Sequence, residues 1–130
     1  MATLYGYLLV FLGAGFGGAL RHGVNQGTLR AFGPDRPVAT ILVNVLGSFA
    51  LGVLAGRFAV QGHSTQTLQL FLATGLLGGF TTFSAFSLEA ALLWQRGQLV
   101  GSALYVAGSV LLSIAGVFAG LSLLRPFHAA

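Results

Sequence analysis

Cysteine and lysine are both absent from this chain of 130 residues, and only two acids occur, Asp35 and Glu89. Without cysteine there is no disulfide, no thiolate metal site and no cysteine nucleophile. Without lysine there is no phosphate-binding loop of the Gly-rich, lysine-bearing kind. His22, His63 and His128 fall at segment ends or in loops with no metal-ligand spacing, and neither a Gly-x-Ser-x-Gly turn nor a Ser/His/Asp set stands out. Catalysis is therefore not expected. Charged residues make up 6% of the chain, against roughly 25% in soluble domains, too few to clothe a water-facing surface. A basic leader ahead of the first apolar run is missing too. That run outlasts the core of a signal peptide, so the first segment is expected to remain as a helix.

What is abundant is apolar. Hydrophobic residues are 55% of the chain and the mean hydropathy is +0.88. A bilayer core needs about 20 helical residues to cross it, and four runs are long enough: Met1 to Leu20, Pro37 to Gly56, Leu68 to Trp94 and Val100 to Leu124. The expected fold is an all-α integral membrane protein of four transmembrane helices, forming a single membrane domain over 1–130. The helices are expected at about 3–29, 38–59, 68–95 and 98–124, with the third broken mid-membrane near 78–81. Six arginines against two acids give a pI near 10.8. Because the arginines sit mostly at segment ends, they point to lipid headgroups rather than to nucleic acid. Arg57 and Arg125 would share one membrane face, and Arg30, Arg36 and Arg96, with Arg21 if it reaches the interface, the other. That bias is too weak to fix one orientation, so insertion both ways, and pairing into an antiparallel dimer, is expected.

Glycine and polar residues are placed with a period. Gly13 with Gly17, and Gly52 with Gly56, form small-xxx-small pairs that let helices approach closely in lipid. Thr40, Asn44 and Ser48 recur every fourth residue, as do Tyr105, Ser109 and Ser113, so each set occupies one helix face. Isolated Ser and Thr in membrane helices commonly bond back to their own backbone, whereas Asn44 calls for a partner helix or a wet cavity. All these groups donate hydrogen bonds and none is charged, which suits a small anion that must exchange water for donors and still leave. The stretch Gly75-Leu-Leu-Gly-Gly-Phe-Thr-Thr-Phe-Ser-Ala-Phe-Ser87 combines three glycines with Phe80, Phe83 and Phe86, whose three-residue steps place them on one drifting face of a helix. Phenylalanine ring edges are electropositive and can face an anion; ordinary packing is the competing reading, and Phe80 is left between the two. Non-helical backbone at membrane depth survives only inside protein or beside a wet cavity. Glu89, the sole acid in a crossing, suits a functional role or simple pairing toward Arg96 near the interface.

Three stretches, Gly18-Ala-Leu-Arg-His22, Val43-Asn-Val-Leu-Gly-Ser48 and Gly75 to Ser87, together resemble the Fluc (CrcB) family of fluoride channels. The resemblance covers all four segments, and the third motif is the specific one. Where the usual family form reads Thr-Phe-Ser-Thr-Phe, this chain has Ala85 before the last ring, one hydroxyl fewer with both rings kept. The resemblance implies an antiparallel, dual-topology homodimer with two pores that passively exports fluoride across the cytoplasmic (inner) membrane and so confers fluoride resistance. It implies that Phe83 and Phe86 turn ring edges to fluoride beside Asn44, and that Tyr105 and Ser109 complete the pore. Thr40, Ser84 and Glu89 would continue its polar track, and Arg21 would stand near the aqueous vestibule. It further implies a structural sodium ion at the dimer centre, held by the backbone carbonyls of Gly78 and Thr81 from both copies. The partners expected are fluoride, a second copy and lipid, with no nucleic acid and no protein substrate. The preference for fluoride over chloride comes from the resemblance, not from spacing.

Two other classes fit parts of the chain. A proton-coupled exporter of the small multidrug resistance type also has four short helices in dual topology, but it uses a glutamate in the first helix, where this chain has no acid. A non-conducting membrane scaffold would account for the small-xxx-small pairs and leave the polar stripes unexplained.

Overall fold

The computed structural model describes residues 2–61 and 66–124. Arg125, His63 and His128 lie outside the described residues, and with them the arginine count for one membrane face. Every regular element described is helical: α1 (Ala2–Phe32), α2 (Val38–Gln61), α3 (66–80), α4 (Phe83–Gln95) and α5 (Leu99–Leu124). Four stretches are long and apolar enough to span a membrane, Thr3–Phe32, Val38–Val60, Gln66–Gln95 and Leu99–Leu124. Their most apolar windows are only 6% to 28% buried within the chain. Val43, 1% exposed, is the largest side chain fully enclosed among the described residues. Most of the apolar surface therefore faces outward, as lipid allows and water does not.

The turns follow from local chemistry. At the end of α1, Gly33 adopts φ +80° and its amide donates to the Leu29 carbonyl at 2.9 Å, a left-handed cap, before Pro34 and Pro37 stop the helix from continuing. Between α4 and α5, Gly97 takes φ +77°, its amide donates to Trp94 and the Gln98 amide reaches back to Leu93. This is a Schellman closure, and it reverses the chain within three residues.

The helices associate as two pairs, α2 with α5 and α1 with α3. Glycine sets both separations. A Cβ added at Gly52 would lie 2.3 Å from the Val117 carbonyl oxygen, and one at Gly120 would lie 2.3 Å from that of Phe49. On the other pair, a Cβ at Gly17 would fall 2.0 Å from the Leu76 oxygen. In lipid no hydrophobic force draws helices together, so backbone-to-backbone packing of this kind carries the association.

The third apolar span is irregular. Gln69–Leu77 is a π-helix, flanked by single α-turns at Gln66–Leu68 and Gly78–Phe80. Thr81 (φ −85°, ψ 158°) and Thr82 (φ −152°, ψ 115°) are extended, and α4 starts at Phe83. Gly78 and Gly79 remain helical, so the glycines precede the extended pair rather than form it. Thr82 caps α4, its Oγ1 accepting the Ala85 amide at 3.2 Å.

Candidate functional site

The extended pair exposes backbone groups that an unbroken helix would have satisfied, and α2 supplies the replacement. In a continuous helix the Thr82 amide would close onto the Gly78 carbonyl. Here it donates to Asn44 Oδ1 at 2.7 Å, while Asn44 Nδ2 donates to the Thr82 carbonyl at 3.0 Å. The two bonds fix the amide's orientation, since only its oxygen can accept from an N–H. Asn44 thus grips both backbone groups of a buried residue. Arg21 answers a second carbonyl: its Nε donates to Gly79 O at 3.1 Å. That half-buried contact places Arg21 against the end of α3.

Below this knot lies a cavity of about 390 Å³ lined by both polar stripes, Asn44 and Ser48 from α2 facing Ser109 and Ser113 from α5. Thr81, Thr82, Phe83 and Phe86 complete its wall. Ser109 is 5% exposed and its Oγ has no hydrogen-bond partner among the described residues. A buried hydroxyl without a partner forfeits on the order of 1–3 kcal/mol, so a group able to accept its proton is favoured in this cavity. The rings form a short ladder. Phe83 and Phe86 have centroids 5.5 Å apart, and Phe86 lies 5.4 Å from Tyr105. Phe86 is 8% exposed and Phe83 77%.

Further along, Thr40 and Tyr105 converge on one carboxylate. Thr40 Oγ1 donates to Glu89 Oε1 at 2.8 Å, and the Tyr105 hydroxyl donates to Glu89 Oε2. Among the described residues Glu89 forms no ion pair, so the simple pairing toward Arg96 is not what holds it. Ser84 is exposed and its Oγ stands 3.3 Å from Thr82 Oγ1.

One expectation is corrected. Phe80, Phe83 and Phe86 do not share a helix face, because Thr81 and Thr82 interrupt the helix between the first ring and the other two. Phe80 lies against Gly47 of α2, on the packing side. Thr82 was not singled out from the sequence, where it reads as half of a threonine pair. Besides the cap its side chain makes, it presents to Asn44 its backbone N–H and C=O, which no side-chain pattern reports.

Four apolar spans around a seam of buried hydroxyls, one amide and one carboxylate define a small multi-pass membrane protein whose polar groups are gathered inward. Residues 8–121 match the family described as CrcB-like protein, Camphor Resistance (CrcB), and the chain belongs to that family. It is 56% identical over 119 residues to the fluoride-specific ion channel FluC of Rhodopseudomonas palustris (strain BisB5), covering 92% of this chain and 96% of that one. The FluC of Methylobacterium nodulans is 57% identical over 120 residues, with the same coverage. That of Mesorhizobium japonicum is 45% identical over 122 residues, covering 94% and 98%. These relatives bear the names of channels, not of enzymes.

Proposed function

We propose that this chain is a fluoride channel, working as an antiparallel dual-topology homodimer with two pores and exporting fluoride passively, which would confer resistance to the ion. The observation that carries the reading is the buried hydroxyl of Ser109, without a partner among the described residues, in a cavity walled by phenylalanine rings and with no basic side chain in its lining. Such a site offers donors to an anion without the fixed charge that would hold it. The names of relatives about half identical over nearly the whole chain supply the choice of fluoride.

In the proposed path, fluoride sheds water in the cavity against Ser109 and the second N–H of Asn44 Nδ2, whose first bond goes to Thr82. It passes the edges of Phe83 and Phe86 and comes to Tyr105 and Thr40. There it competes with Glu89 for two hydroxyl protons that already point at one acceptor. The outward ring of Phe83 fits a wall completed by a second copy. A sodium ion at the centre of that dimer suits the backbone donors present. The Gly78 carbonyl has lost its helical donor to Asn44, and Thr81, ahead of the Thr82 cap, lies outside the hydrogen-bond ladder of α4. Hard oxygen donors of this type suit a small cation, which when bound would hold the two extended segments together.

The test is ion efflux from liposomes holding the purified protein. Fluoride is expected to leave far faster than chloride, and Ser109→Ala to slow it by about threefold to tenfold, the loss of one donor. Equal release of the two halides, or no release, would refute the reading.

A further inference from the structure

Glu89 borders a second cavity, distinct from the ring-walled one. It measures about 160 Å³ and lies between the α1–α2 turn and the end of α4, lined by Pro34, Asp35, Arg36, Pro37, Glu89, Leu92, Leu93 and Arg96. Asp35, Arg36 and Arg96 are exposed and Glu89 is half-buried. Neither guanidinium is engaged in a hydrogen bond or ion pair among the described residues. Both turns fall on the same end of the bundle, since an even number of spans separates them.

A carboxylate beside an anion path presents a difficulty, because it repels the ion at the point of entry. Two acids alone would give this cavity a charge of −2. With Arg36 and Arg96 the four side chains sum to zero, and the two cations are exposed to solvent while Glu89 is half-buried. We infer that this cavity is the anion mouth of the pathway. In it the unpaired guanidiniums of Arg36 and Arg96 offset Glu89 and Asp35 and gather a small hydrated anion, fluoride if the proposed function holds. The inference rests on that function for its ligand, and on the cavity's own side chains for its location. The order from inside outward is Ser109, the two rings, Tyr105 with Thr40 on Glu89, then the arginines.

At roughly 8 Å in water-like surroundings each removed positive charge lowers anion occupancy about 2.4-fold, so two lower it about sixfold. Exposed charges act through solvent, so the effect must fade with salt. The Debye length shrinks from about 30 Å at 0.01 M to about 3 Å at 1 M. The experiment measures fluoride efflux from liposomes at sub-saturating fluoride, at those two ionic strengths. The variants are Arg36→Gln/Arg96→Gln, Arg36→Lys/Arg96→Lys and Asp35→Asn, each verified as monodisperse after purification. Expected at low salt are a slowing of about sixfold for the glutamine pair, little change for the lysine pair, and a faster rate for Asp35→Asn. At high salt the glutamine pair should approach the unmodified protein. If the unmodified protein conducts no fluoride, the proposed function itself fails. If it conducts and the glutamine pair matches it at low salt, the mouth is overturned. A slowing that persists at high salt, or that the lysine pair shares, overturns it equally, since it would then be structural.

Discussion

Asn44 offers the sharpest test of how this site is built. Its amide makes two bonds to the backbone of Thr82, at 2.7 and 3.0 Å, and Thr82 is buried. Asn44→Ala removes both partners and leaves an N–H and a C=O without them. Each such group costs about 1–3 kcal/mol when it stays dry. The adjoining cavity of about 390 Å³ admits water, so the lower end applies to each and the sum is about 2 kcal/mol. Asn44→Asp separates structure from permeation. The carboxylate keeps an acceptor for the Thr82 amide but turns a second oxygen toward the Thr82 carbonyl. It also sets a negative charge in the cavity. At about 4 Å and an effective dielectric near 20, repulsion of an anion is ~4 kcal/mol, on the order of a thousandfold in occupancy. Unfolding in detergent followed by circular dichroism, together with fluoride efflux from liposomes, reads both quantities. The alanine variant should lose stability and part of its flux; the aspartate variant should lose nearly all flux whatever its stability. An alanine variant as stable and as conductive as the unmodified protein would refute the clamp.

Two further expectations concern other parts of the chain. Tyr105→Phe deprives Glu89 Oε2 of its donor while keeping the ring beside Phe86, so efflux should fall about tenfold with the fold intact by circular dichroism, the worth of a hydrogen bond to a charged group. Gly120→Ala forces a Cβ to within 2.3 Å of the Phe49 carbonyl oxygen and should cost about 1–3 kcal/mol by overpacking, visible as a lower unfolding midpoint; an unshifted midpoint would count against glycine-set spacing.

The sequence discloses the spans because lipid imposes a length and forbids charge, and both constraints are written residue by residue. Its two polar stripes are equally legible, since α2 and α5 keep an ordinary α-helical period from end to end. The third span is not, for a different reason at each point. A π-helix over Gln69–Leu77 bonds i to i+5 and so changes which residues share a face. Two extended threonines then reset the phase altogether, which is why steps of three from Phe80 mislead. Asn44 is visible as an oddity in an apolar helix, yet its partner is backbone on another element. The two arginines at the second cavity look like ordinary interfacial residues until the turns that carry them are seen side by side.

The near absence of a side-chain core has a consequence for how this protein can vary over evolutionary time. A single valine is fully enclosed among the described residues, so a Leu, Val, Ile or Phe on the outer surface has few neighbours to satisfy. Those positions can drift freely among apolar residues. The glycines at the helix crossings have no such latitude, because their neighbours are backbone atoms that cannot move aside. Divergence should therefore accumulate on the lipid side while the glycines and the inward hydroxyls stay fixed. A chain of this kind ages from the outside, and relatives that share only half of its residues can still keep the same helix crossings.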